Sequence, residues 1–241
     1  MQSRPAEDIF ATTRWTMVMA AGDRESPTAD AALQSLCSIY WFPLYAFIRR
    51  RGYTKEDAED RTQEFIAGLL ARSDFAELDR SRGKFRAFLL AAVKHFLANE
   101  RDRALRQKRG GSLTHFSLDW QSADHRFQVA DEARPSPDLA FDREWAVTLL
   151  ELVLQKLKQE AEAEGHSVRF NALKVFLSTG KGEIPYADKA AELGWDEGAV
   201  RVAVHRLRKR YRVMLKLEIG RTLDDSAMVE EELQVLMASF A

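Results

Sequence analysis

The chain has 241 residues, enough for one or two domains, and its 46% hydrophobic and 30% charged residues support a packed core and exclude global disorder. Its formal net charge is −1, so it is no polycation, and any nucleic-acid interface must rest on local positive charge. The single cysteine, Cys37, excludes an internal disulfide and fits a reducing cytoplasm, where its simplest role is that of a small buried hydrophobe.

The first residues, Met1 to Asp8, lack the apolar core of a secretory signal. The longest apolar run, Ala87 to Val93, is too short to span a bilayer. The expectation is a cytoplasmic protein with no membrane partner.

Helical periodicity runs through most of the chain, and no segment keeps a period of two, so the expected fold is all-α. A first helix is expected over Ile9–Ala21. A second covers Asp30–Arg50, with Leu33, Leu36, Tyr40, Leu44 and Phe47 recurring at helical spacing; Pro43 inside it kinks or breaks it, and Gly52 stops it. Thr54 is a good N-cap with Asp57 three residues on, and the helix it opens runs to about Leu70. A further helix spans roughly Gly83–Gln107, ended by Gly110-Gly111. From Ser112 to Asp138 the periodicity fades and Pro135 and Pro137 appear, which reads as a linker, although Phe116, Trp120 and Phe127 need something to pack on. Helical pattern resumes over Leu139–Glu164, over Phe170–Leu177 and after Pro185. The expected division is a helical domain at 1–111, a linker at 112–138, a second helical domain at 139–217 and an acidic C-terminal tail helix at 218–241.

The sharpest motif lies between Pro185 and Tyr211. Pro185 suits a first helical turn. Small Ala190 lets a second helix cross closely, Gly194 four residues later can take the left-handed conformation that ends the first helix, and Asp196 can cap the next. Val200 then packs back on Ala190. This is the spacing of a helix-turn-helix. Val200, Val204, Leu207 and Tyr211 share the inner face of the second helix, and Arg201 to Lys216 holds seven Lys or Arg and no acid. A solvated face normally mixes both signs, whereas a face of one sign suits the major groove, where arginine reads guanine edges or holds phosphates.

Two features mark the first half. Asp57-Ala-Glu-Asp-Arg-Thr-Gln-Glu-Phe65 is an acidic turn opening an amphipathic helix, for which favourable interaction with the helix dipole is an adequate structural explanation. Arg80 to Arg109 holds ten Lys or Arg against two acids, with phenylalanines between them. Cations interleaved with aromatic rings fit single-stranded nucleic acid, although core is the simpler reading for any one of Phe85, Phe88 and Phe96.

Taken in order, the acidic helix, the basic aromatic helix, the linker and the terminal helix-turn-helix resemble an extracytoplasmic-function-type sigma factor of the sigma-70 family. The resemblance covers most of the chain. It implies that the first domain is region 2, whose acidic residues Asp57, Glu59, Asp60, Gln63 and Glu64 dock on the β′ clamp helices of core RNA polymerase. It implies that Lys84, Arg86, Phe88, Lys94, His95, Asn99 and Arg103 open and hold the minus-10 element of promoter DNA. The second domain would be region 4, reading the minus-35 element through Arg201, Val202, His205, Arg206, Arg208 and Lys209, with its other side on the β flap. Family members often carry Trp at the position of Phe88 and Asn near that of His95. An anti-sigma or other regulatory protein is a further partner of the kind the resemblance suggests. The tail, with an apolar set Val229, Leu233, Leu236, Met237 and Phe240, reads as a capping helix or as a docking or autoinhibitory one.

Other chemistries lack their residues. The histidines are scattered, CxxC and HExxH are missing, and Ser178-Thr-Gly-Lys-Gly-Glu183 lacks the earlier Gly and the residue after Lys that a P-loop needs, so neither metal, cofactor nor catalytic centre is expected. Two alternatives stand beside the sigma reading: a conventional helix-turn-helix regulator that does not dock on polymerase, and a sigma-like adaptor that binds polymerase without opening promoters.

Overall fold

The computed structural model describes residues 29–71, 84–104, 118–130, 135–179, 183–223 and 225–240. The expected helix at Ile9–Ala21, the Gly110-Gly111 stop, Phe116, and the side chains of Cys37 and Arg103 lie outside what it describes. Nine α-helices and no strand occur among the described residues: α1 (Ala29–Arg50), α2 (Lys55–Ala71), α3 (Phe85–Ala104), α4 (Trp120–Ala130), α5 (Pro137–Ala163), α6 (Ser167–Leu173), α7 (Tyr186–Leu193), α8 (Glu197–Gly220) and α9 (Val229–Ala238). The all-α expectation holds. None of these helices is long and apolar enough to cross a membrane.

The helices group into two compact units. One contains the described residues up to Thr148 together with those from Ile219 onward; the other is Leu149–Glu218. The expected limits at 111 and 139 are not boundaries of these units, whereas the one expected at 217 lies one residue from the limit at Glu218. Periodicity marks where helices run, not which helices share a core.

In the first unit α1 is buried nearly all round from Ile39 to Ile48. That explains why it continues through Pro43: a proline inside a helix removes one backbone hydrogen bond, and burial on both sides of the helix offsets the loss. Ala58, Thr62, Phe65 and Ile66 form the inner face of α2, at spacings of four, three and one. Phe85, Leu89, Val93 and Leu97 form that of α3. Thr54 caps α2 as expected, its Oγ1 accepting the Asp57 N–H at 3.1 Å while its hydroxyl donates to the Asp57 carboxylate at 3.0 Å.

The expected linker contains a helix. Asp119 caps α4, accepting the Ser122 N–H at 3.1 Å. Trp120 meets Trp41 edge-on at 5.4 Å and lies 5.7 Å from the Tyr45 ring, and Phe127 lies 6.3 Å from Tyr45. Arg126 sits 4.2 Å over Phe42 and pairs with buried Glu144 at 2.9 Å. Helix α5 then starts at Pro137, two residues earlier than its apolar pattern suggests, with Ser136 Oγ accepting the Leu139 N–H. Proline in the first turn costs no hydrogen bond, so it opens this helix rather than interrupting a linker.

In the second unit Leu173, Phe176, Ala190, Val200 and Val204 form a core cluster, with Ile184, Tyr186, Leu193 and Leu207 packed against it. Leu149, Val153 and Leu157 of α5 and Met214 and Leu215 of α8 are buried as well. The Tyr211 hydroxyl donates to the Leu150 carbonyl at 3.1 Å, and burial pushes that phenol up to about 12.

Candidate nucleic-acid interface

The second unit builds the helix-turn-helix residue by residue. Pro185 stands at the N-cap of α7 in extended conformation, one position before the helical turn expected for it. Ala190 is buried beneath Val200 in the cluster, so the two helices cross where the side chains are smallest. Gly194 ends α7 with φ +66°, and the next N–H, that of Trp195, bonds back to the Ala190 carbonyl at 3.0 Å. Nothing lies near where its Cβ would be, so the demand for glycine comes from the backbone angle and not from crowding. Asp196 Oδ1 caps α8 through the Ala199 N–H at 2.9 Å. A Cβ on Gly198 would meet that same oxygen at 2.9 Å, so a small residue two positions after the cap is part of the turn.

With Val200 and Val204 anchored inward, the opposite face of α8 is set. Arg201, Val202, His205, Arg206 and Lys209 are all exposed. Val202 is 50% exposed, an apolar group amid cations, suited to a thymine methyl. Arg201 pairs with Glu197 one turn earlier at 2.6 Å and lies 5.5 Å over the Tyr186 ring.

Arg208 departs from its expected role. It is half-buried, and its Nε and Nη2 both donate to the Phe176 carbonyl, at 3.0 and 2.8 Å. Its charge closes the end of the 3-10 turn at Lys174–Leu177, so here it is a scaffold group.

An open groove runs along the start of α8, lined among others by Arg169, Trp195, Asp196, Val202 and Arg206. Arg169 and Trp195 were not among the expected site residues. Trp195 had a visible signal: a large aromatic between Gly194 and Asp196 belongs to the apolar face of neither helix, and it is 38% exposed. Arg169 had none, because only the packing of α6 beside α8 brings it to the groove. The groove thus brings two guanidinium groups, an indole and a valine together with the Asp196 carboxylate, and guanidinium groups of this kind can hold phosphates.

The basic helix α3 in the first unit is arranged differently. Lys84 pairs with Glu231 at 3.2 Å and Glu232 at 2.9 Å. Arg86 is buried, lies 4.9 Å over Trp145, donates to Glu232 at 2.8 and 3.1 Å, and pairs with Asp142. Lys94 pairs with Asp138 at 2.6 Å. Burial opposes charge on Arg86 and Lys84, yet their carboxylate partners outweigh it and hold both above their ordinary values. Burial likewise opposes charge on Glu232, but Arg86 and Lys84 bring its carboxyl below the usual range. Phe88 is half-buried, 6.0 Å from Phe85, while His95 and Asn99 are exposed.

The acidic helix α2 exposes Asp57 and Asp60, keeps Glu59 and Glu64 half-buried and buries Gln63. Glu64 pairs with Arg61 at 2.9 Å. Burial, with Glu56, Asp124 and Asp60 nearby, raises the Glu59 carboxyl against the opposing pull of Lys55. Among the described residues no group of three or more His, Cys, Asp or Glu is placed to hold a metal ion. No protein-family model, curated protein or solved structure matches the chain.

Proposed function

We propose that the chain is a sigma factor that binds core RNA polymerase and directs it to promoters, with α8 reading duplex DNA. The observation that carries the reading is the outer face of α8, where Arg201, Val202, His205, Arg206 and Lys209 stand exposed behind a helix-turn-helix core. Arg169 and Trp195 extend that face across the groove. The α8 surface would read the minus-35 element, and Asp57, Asp60 and the half-buried Glu59 and Glu64 would dock on the β′ clamp helices. No group in this reading performs chemistry; polymerase does, and the chain supplies sequence choice and strand opening.

The testing experiment mixes the purified chain with bacterial core RNA polymerase, first for a complex and then for initiation from a library of promoter fragments. Binding with selective initiation is the expected result. A folded chain that ignores polymerase yet binds duplex DNA selectively would replace this reading with that of a conventional helix-turn-helix regulator. One observation favours the second reading: Lys84, Arg86 and Lys94, assigned to the minus-10 element, are all paired with carboxylates of the same unit.

A further inference from the structure

The acidic partners of Lys84 and Arg86 come from the far end of the chain. Glu231 and Glu232 sit in the first turn of α9, and the segment before α9 is tied to the start of α3 through its backbone. The Phe85 N–H donates to the Thr222 carbonyl at 3.2 Å, and Lys84 and Leu223 form an isolated antiparallel bridge. Glu232 is 1% exposed, and its carboxylate lies 2.9 Å from Lys84 and 2.8 Å from Arg86.

The hold on α9 itself is narrow. Only Glu232, Leu233 and Leu236 of its ten residues are buried, while Val235, Met237 and, just beyond, Phe240 are exposed. A helix this short has little stability of its own, and one fixed by a single stripe belongs to the part of a structure that opens most readily. Arg86 keeps Asp142 and Trp145 when α9 leaves, so opening uncovers the two cations without stripping Arg86 of every partner. Carboxylate and phosphate oxygens satisfy lysine and arginine by the same charge-assisted hydrogen bonds.

We infer that α9 is an intramolecular competitor for nucleic acid: its acidic turn occupies the end of α3 that binds single-stranded DNA phosphates, and the DNA displaces it. This rests on the proposed nucleic-acid role of α3. Glu231 and Glu232 stand in for two phosphates, and the exposed apolar edge of α9 accompanies them when the helix is released.

The experiment uses the full chain and its Glu231→Gln/Glu232→Gln double variant, titrated with fluorescently labelled single-stranded oligothymidylate across a salt series. Removing two competing charges is expected to tighten binding about tenfold and to steepen the salt dependence by about 0.7 for each additional phosphate held. Binding and salt dependence unchanged in a folded variant overturn the inference while leaving the role of α3 standing. If neither folded protein binds the oligonucleotide, the role of α3 falls and the inference with it; duplex binding by α8 is measured separately with a duplex library. Should the variant not fold, hydrogen exchange of the unmodified chain decides. Saturating oligothymidylate is expected to speed amide exchange over residues 229–238, and unchanged or slower exchange there overturns the inference.

Discussion

Helices α8 and α3 are both rich in lysine and arginine, and both alternate those cations with apolar residues, yet the structure gives the two sets of charges different surroundings. On α8 the inner valines are locked into a small core and Arg206, Lys209 and Arg212 are left exposed. On α3 the positions flanking the inner face meet carboxylates from α5 and α9, so Lys84, Arg86 and Lys94 carry charge that is largely cancelled where it stands. A run of basic residues thus shows that charge is available without showing which partner holds it. Under the proposed function the difference also separates two expected mutational consequences: loss of recognition on the outer face of α8, loss of stability at the paired cations of α3.

The largest expected effect is at the buried pair. Glu232→Ala removes one carboxylate from Arg86 and Lys84, which keep Asp142 and Glu231, and urea unfolding is expected to show a loss of about 1.5–3 kcal/mol. A change below about 1 kcal/mol, the range of surface pairs, would mean that the site is wetter than the burial of Glu232 indicates and would narrow the contrast with α8.

Arg206 and Arg208 test the contrast within α8. Arg206→Ala is expected to cost about 1–3 kcal/mol of duplex binding and to relax the preference at one base pair, read by competition among duplexes. Arg208→Ala is expected to act on folding instead, lowering stability by about 1–3 kcal/mol through the unsatisfied Phe176 carbonyl, with sequence preference intact. If the two variants exchange these phenotypes, the assignment of the outer face is wrong.

Acid should act on the first unit through Glu232. Its carboxyl is held below the ordinary value, so the pairing is fully present above about pH 4.3 and is lost as pH falls through the lower folded value. One such linked proton tilts stability by at most about 1.4 kcal/mol per pH unit, and Glu232→Gln should flatten that slope in melts between neutral and acid pH. Glu59, whose carboxyl is raised, works in the opposite sense and favours the folded state on mild acidification.

The smallest effect is at the turn. Asp196→Ala removes the acceptor for the Ala199 N–H and should cost about 1 kcal/mol of stability in thermal melts. Duplex affinity is expected to fall only slightly, because the core beneath α8 keeps its direction.

The sequence alone determined the local structure wherever one residue type meets one steric demand. Gly194 is required by a positive φ, Asp196 and Thr54 by bare N–H groups, Ala190 by a close helix crossing, and each appears in the structure in that role. It also contained Asp119 and Ser136-Pro137 as helix starts in the expected linker, but proline and polar residues signal both a helix start and a loop, and for Asp119 it is the packing of Trp120 on Trp41 of α1 that separates the two. What the tertiary structure decided was the pairing of distant charges. Arg86 and Glu232 are 146 positions apart, Arg208 and the Phe176 carbonyl 32 apart, and Arg169 reaches the groove from another helix. Periodicity determines which way a side chain faces on its own helix. Electrostatic partners are fixed by which helices share a core, and that depends on the summed fit of apolar surfaces rather than on any local pattern.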